Sequence, residues 1–440
     1  MPSGPHTRQM KLICVDLERP LPELEQPVRA GVGERQVLVR LHGQPLGILN
    51  LDTSRAYTSV DLGRLIVGRL SRPILMHLVE DSLVAGDPAS VADALASLPL
   101  QCPQRNAASD WPVTTVAVCT RDRPDQLAQC LTALNALDYP AHRLDILVVD
   151  NAPSTEATNA LVASHPAIRY VLEPRPGLNW ARNRAVLEAH GEIVVFTDDD
   201  VIVDTGWLHA IASAFRDEPA AMCVTGLVVP DELDTVAQVL FEKYGGFGRG
   251  FTRVYATARR PGQVASQHGG TGKFGTGANM AFRRSIFSSV GLFDPALDVG
   301  TVTNGGGDLE MFFRILRPGH LLLYEPRAVV RHRHRRQYAQ LRKQLTDHGI
   351  GFYSYVVRSA AAFPEERGAF IRLGLWWLWY WNVRRLIAAL FRRNRFPIGL
   401  ILAELRGSLL GLRRYPAARR RAAAILDTYG PQQPFARVSP

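Results

Sequence analysis

The spacing of apolar and polar positions changes near residue 113, and the change divides the chain. Before it, residues 37–50 predict two short strands around a His42-Gly43-Gln44-Pro45 turn, and residues 60–70 carry helical spacing. After it, strands and helices alternate. Residues 113–119 predict a strand, and Pro124 opens a helix in which Leu127, Cys130 or Leu131, Leu134 and Leu137 repeat at the helical period. A strand at 144–149 ends at Asp150-Asn151; a helix near 155–164, a strand at 168–172 and a turn at 174–177 follow. A helix at 178–190, with Gly191 as its stop, leads into Ile193-Val194-Val195-Phe196, an apolar run suited to a strand buried on both faces. This order predicts a largely parallel sheet with helices on both faces.

Between about 205 and 330 the pattern is less regular, with glycines clustered at 245–250, 269–277 and 305–307. The 269–277 run is not a phosphate loop, because Lys273 precedes Phe274 and Gln267 stands where that motif needs glycine. Gly31 and Gly33 make no dinucleotide fingerprint, since no strand precedes them. Residues 101–112 are polar and proline-bounded and read as a linker. Beyond about 345 the chain reads as helical. Its aromatic stretch 370–381 is about a dozen residues long, short of the roughly 20 that a membrane span needs. Three units result: a small N-terminal accessory domain at 1–110, an α/β domain at 113–335 and a helical, arginine-rich segment at 345–440.

Charge sharpens the last boundary. Between Trp381 and Arg421 stand eleven arginines (Arg384, Arg385, Arg392, Arg393, Arg395, Arg406, Arg413, Arg414, Arg419, Arg420, Arg421) against one acid, Glu404. That excess of ten equals the net charge of the whole chain, +10, so the basicity is expected to belong to a C-terminal appendage. Tryptophans beside arginines fit a helix lying in a bilayer interface, on an anionic membrane surface. The five cysteines are scattered and indicate neither a disulfide framework nor a zinc site, and no signal-peptide core follows the N-terminus. A cytoplasmic protein, peripheral on the inner face of the plasma membrane, is the expectation.

The chemistry starts at Asp198-Asp199-Asp200, which close the apolar strand. In open α/β sheets ligands bind beyond the carboxyl ends of strands, so these acids are placed to hold a divalent cation. Oxygen ligands favour Mg²⁺ or Mn²⁺, which would in turn hold a diphosphate. Cys119-Thr120-Arg121-Asp122-Arg123-Pro124 and Asp150-Asn151 reach the same sheet edge. Added to the runs 177–183, 275–283 and 305–310, this order of motifs resembles the family 2 glycosyltransferases over about residues 113–335. The resemblance implies a GT-A fold, Rossmann-like and mostly parallel, here with a small N-terminal α+β domain and a C-terminal helical basic segment. It also implies inverting transfer of a sugar from a nucleotide-diphosphate sugar to a glycan or lipid-linked acceptor, dependent on a divalent cation (Mn²⁺ or Mg²⁺).

By the same resemblance Asp198 and Asp200 hold the metal, with Asp199 and Asp200 as the alternative register, and His332 is a third ligand. Asp308 is the general base and Glu310 supports the acceptor site. Thr120, Arg121, Arg123, Asp150 and Asn151 line the nucleotide pocket; Arg182, Asn183, Asp199, Gly277 and Asn279 complete the substrate site. Gly307 stands where relatives often carry an acid. Two rivals are weaker. A degenerate scaffold that binds membrane or nucleic acid through its arginines would not retain Asp198, Asp200 and Asp308, so no nucleic-acid partner is expected. A sugar-1-phosphate nucleotidyltransferase would want a glycine-rich loop after the first strand, and Thr120-Arg121-Asp122-Arg123-Pro124 has none.

Overall fold

A computed structural model describes residues 11–26, 34–81, 110–258, 270–391 and 396–432. Gly31, Gly33, linker positions 101–109, Gly269 and the arginines at 392, 393 and 395 lie outside the described residues.

In the N-terminal unit β1 (Ile13–Asp16) pairs parallel with β2 (Arg35–Leu41), and β2 pairs antiparallel with β3 (Gln44–Leu51). The β2–β3 turn is His42-Gly43, both left-handed (φ 51° and 74°), a two-residue turn whose twist matches its strands. Helix Ser59–Glu80 begins at a Thr58/Asp61 capping box and passes Pro73, running well beyond the predicted 60–70. Its buried stripe Leu62, Ile66, Leu70, Ile74 and Leu78 closes a small core with Val37, Val39 and Leu49. Leu12 and Leu38 pack on Tyr324 and Val329 of the large domain, and Arg40 Nη1 meets Asp204 at 2.7 Å, so the unit is docked on the α/β body.

The large sheet has its parallel half where the alternation predicts it: β4 (Thr114–Thr120), β5 (Leu144–Asn151), β6 (Ile168–Glu173) and β7 (Ile193–Asp198). The other half is mixed. β11 (Asn279–Arg283) lies antiparallel between β7 and β9 (Ala221–Pro230), and β12 (Leu321–His332) runs parallel to β9. Short strands β8 (Val201–Val203) and β10 (Val254–Ala256) pair antiparallel with β12. The region read as irregular thus holds two of the longest strands; its loops and short helices break the alternation on which the sequence reading relied. Cores cover both faces, around Phe196, Phe282 and Phe312 on one and Val118, Trp207 and Phe215 on the other. Helix Leu178–Glu188 ends with Ala189 extended, so Gly191 is not its cap.

The C-terminal segment is not an appendage. Helices Tyr338–Ala362 and Ile398–Tyr429 pack against each other so closely that a Cβ on Gly411 would lie 2.6 Å from the Ile350 carbonyl oxygen. Phe370 and Leu373 of helix Arg367–Trp377 enter the same core as Phe312 and Phe313. The chain then returns to the sheet. Arg175 Nη2 gathers the carbonyl oxygens of Tyr429, Gly430 and Pro431 at 3.1, 2.8 and 3.0 Å. Among the described residues no helix is long and apolar enough to cross a membrane.

Candidate active site

Strand β7 delivers Asp198 to the sheet edge, and the register of β8 on β12 sets His332 opposite Val201, directly after the acids. One ligand atom from each of Asp198, Asp200 and His332 falls within 4.8 Å of the others; His332 Nε2 stands 3.4 Å from Asp200 Oδ1. Asp199 turns elsewhere. Its Oδ2 accepts from Thr120 Oγ1 at 2.8 Å, and Arg123 bridges it to Asp200, whose Oδ2 is 2.8 Å from Arg123 Nη2. Of the two registers open in the sequence, the geometry groups Asp198 with Asp200. Thr120 and Arg123 organise the acids.

Burial, then the neighbouring Asp200, raises the Asp198 carboxyl, and burial lifts Asp199 to about 7. Burial also opposes ionisation of Asp200, but His332, protonated at the low pH where this carboxyl titrates, and Arg123 outweigh it and hold the carboxyl below its usual range. Burial keeps the His332 imidazole down at about 4, hence neutral. A relay then selects its tautomer. His334 Nε2 is 2.7 Å from Glu242 Oε1, and His334 Nδ1 is 3.0 Å from His332 Nδ1. With the proton of His334 on Nε2 toward the carboxylate, its Nδ1 accepts from His332 Nδ1–H, which leaves the His332 Nε2 lone pair aimed at Asp200. Two carboxylates and a neutral imidazole in this arrangement fit a divalent cation. Neither His334 nor Glu242 stands out in the sequence, because only the fold brings a helix at 236–244 against the end of β12.

Beside the acids lies a cavity of about 520 Å³ that Asp198, Arg182, Gly277 and Asp308 face from one side. Asp308 is the second residue of helix Gly307–Leu316, so the cap is Gly306 and not the aspartate. Its Oδ2 accepts from Gly277 N–H and its Oδ1 from its own neighbour's, Leu309 N–H, both at 2.9 Å, which fixes the carboxylate. A Cβ at Gly277 would come within 2.5 Å of Arg182 Nη2, and one at Gly307 would overlap the Asn179 amide, which is why no acid precedes Asp308. Arg182 is the fifth residue of its helix. The first-turn N–H of Asn179 is taken by Asp298 at 2.8 Å, so Arg182 reaches the cavity through its side chain and not through an open helix terminus. Asp298 itself is lifted to about 7 by burial.

Several expected site residues have other work. Glu310 is fully buried and ion-paired with Arg314 and Arg358, each at 2.7 Å. Residues two apart on a helix point about 200° apart, so with Asp308 toward the cavity Glu310 must face the core. Asn183 spends both amide atoms on the Phe293 backbone, at 2.9 and 2.8 Å. Asn279 is fully buried, donates to Leu227 and Ala328 carbonyls and accepts from Trp207 Nε1; it ties strands together. Asn151 accepts from Gly177 N–H and donates to the Arg175 carbonyl, setting the turn before the Arg182 helix. Arg121 is exposed, with Asp122 at 3.7 Å. Asp150, buried at the end of β5, accepts from Tyr170 Oη at 3.0 Å, and burial raises it to about 6. The opposite wall of the cavity was not anticipated: it comes from the C-terminal helices, through Phe352, Tyr355, Trp376, Trp377, Trp381 and Glu404.

The family model for glycosyl transferase family 2 matches residues 115–291. A glucosyl-dolichyl phosphate glucuronosyltransferase of Haloferax volcanii is 22% identical over 187 residues, 41% of this chain and 55% of that protein. A pre-mycofactocin glycosyltransferase of Mycobacterium tuberculosis is 25% identical over 224 residues, 51% of this chain and 43% of that protein. The mannosyltransferase PcManGT of Pyrobaculum calidifontis, solved with GDP-Man and Mn²⁺, superposes with a TM-score of 0.42 at 19% identity, covering 73% of this chain and 75% of that one. The chain spans about half the length of the curated relatives it matches. The matched segment holds Asp198, Asp200, Arg182 and Gly277 and stops short of Asp308 and His332. Over residues 115–291, then, the chain is recognised by the glycosyl transferase family 2 model, and the curated relatives that match it are glycosyltransferases.

Proposed function

We propose that the protein is an inverting glycosyltransferase that moves a sugar from a nucleotide-diphosphate sugar to a lipid-linked or glycan acceptor. The observation that carries this reading is that Asp308, Arg182 and the Asp198 end of the acid cluster face one cavity. A divalent cation held by Asp198, Asp200 and His332 would neutralise the diphosphate as it leaves. Arg182 offers a fixed guanidinium to phosphate oxygens on the same side. The Asp308 carboxylate, oriented by two backbone N–H groups, removes the acceptor hydroxyl's proton as that oxygen attacks the anomeric carbon, in a single displacement that inverts the centre.

The aromatic wall favours a lipid-linked acceptor. Helix Arg367–Trp377 and the turn after it send Trp376, Trp377 and Trp381 into the cavity, while Ile371, Leu375 and Trp379 stand exposed at successive i, i+4 positions. One element would therefore lie on an anionic membrane face and line the acceptor site. Serine at Ile371, Leu375 and Trp379 together should abolish flotation with anionic vesicles; undiminished flotation rules this surface out as the anchor. Screening nucleotide sugars with Mn²⁺ and with EDTA tests the activity: donor turnover with Mn²⁺ that EDTA stops is expected, and no turnover of any nucleotide sugar in the presence of acceptor lipids refutes it.

A further inference from the structure

A second convergence of ligand atoms lies in the N-terminal unit, where the β2–β3 turn meets the end of helix Ser59–Glu80. His42 Nδ1 is 2.6 Å from Asp81 Oδ2 and 3.0 Å from His77 Nε2, and His77 Nε2 is 3.3 Å from Asp81 Oδ2. His77 occupies the helix's last turn and Asp81 is its C-cap, so the pair rises from one face at i, i+4. The left-handed backbone of His42 turns the third ligand toward them. All three side chains are close to nine-tenths buried.

We propose that His42, His77 and Asp81 form a binding site for a zinc-class divalent cation, separate from the acid cluster at residues 198–200. Around a tetrahedral zinc ion with bonds of about 2.0–2.2 Å, ligand atoms stand about 3.3 Å from one another. The observed triangle differs from that face by no more than a few tenths of an ångström on two of its edges, 2.6, 3.0 and 3.3 Å, within reach of small side-chain rotations. Two imidazoles for one carboxylate select Zn²⁺ or Co²⁺ over the Mg²⁺ class, and three protein ligands leave a fourth position for water. Such an ion would clip the hairpin turn to the helix end in a unit whose own core is small, so binding would appear as folding stability. The cysteine pattern is silent on this site because no cysteine takes part.

The test uses the full chain and does not depend on the glycosyltransferase reading. Protein stripped with a chelator is titrated with Zn²⁺ by calorimetry in an Asp198→Asn/Asp200→Asn background, which removes the other cluster. One Zn²⁺ per chain is expected, with a rise in thermal midpoint, and Co²⁺ should give the visible absorption of a tetrahedral nitrogen and oxygen site. His77→Gln should weaken Zn²⁺ at least tenfold and cancel the thermal shift. Asp81→Asn, which preserves size and hydrogen bonding, should weaken it too while far-ultraviolet dichroism stays native, and it decides the matter if His77→Gln fails to fold. Zn²⁺ affinity unchanged in the Asp81 variant, or no Zn²⁺ uptake and no thermal shift in the background protein, would mean a hydrogen-bonded network only and overturn the proposal.

Discussion

Among the described residues histidines and carboxylates gather in two metal-sized clusters, and the two differ in composition and in surroundings. At the sheet edge two aspartates meet one histidine, Arg123 lies across the acids, a His334–Glu242 relay stands behind, and a cavity opens in front. In the N-terminal unit two histidines meet one aspartate between a turn and a helix end, away from the lining of that cavity. The donor ratio sets which class of ion each cluster suits; the cavity sets whether an ion there would touch a substrate. Residue types alone do not separate a centre that reacts from one that holds.

The sharpest way to break this contrast is at Asp308, the proposed base. Asp308→Asn should lower kcat by about 10²-fold or more, with nucleoside-diphosphate affinity nearly intact, because the proton it removes belongs to the acceptor. Near-normal turnover would move the base away from Asp308, with Asp347 and Glu404 the other helix-borne carboxylates that line the cavity. Next comes exchange between the clusters. Asp200→Ala should cost on the order of 10-fold to 100-fold in Mn²⁺-supported nucleotide binding and leave Zn²⁺ content unchanged, while His77→Gln should do the reverse. If either substitution alters both metals, measured by elemental analysis and calorimetry on the same samples, the clusters are not independent.

The smallest effect concerns an acid with no cation role. Burial raises Glu404 to about 7 from its ordinary 4.5, while Tyr244 Oη donates to it at 2.7 Å. The folded protein then binds more protons than the unfolded chain between those values, so this group's contribution makes stability fall as pH rises from about 4.5 to about 7 and level off above. Glu404→Gln keeps an acceptor for Tyr244 and should flatten that slope, gaining about 1–3 kcal/mol over the parent at pH 8 relative to pH 5. Thermal melts at the two pH values check it, and an unchanged slope would show that Glu404 ionises freely in the fold.

Most of the sheet edge was legible because its chemistry sits in short runs that close apolar strands: Thr120 at the end of β4, Asp150 near the end of β5 and Asp198 at the end of β7. His332 and Asp308 were singled out the same way, at the end of a strand and the start of a helix. Glu310 was misread since adjacency in sequence becomes opposition on a helix, and Asn183 and Asn279 because a buried amide that ties backbone together looks no different in sequence from one that holds a ligand. The antiparallel insertion of β11 left no alternation to detect. Trp377 and Trp381 were legible as aromatic but not as inward-facing. Their direction depends on how closely two helices cross at Gly407 and Gly411, more than thirty residues away in places, and the surrounding arginines drew attention to solvent.

The grip of Arg175 on the carbonyls of Tyr429, Gly430 and Pro431 bears on how the protein is made. A ribosome finishes β7 with Asp198 well before it supplies Trp377, Trp381, Glu404 and this clasp, and His332 follows only at the end of β12, so the lining of the cavity is made in stages. A chain released before residue 377 would carry Asp198, Asp200, Asp308 and His332 but would lack Trp377, Trp381 and Glu404 of the cavity lining.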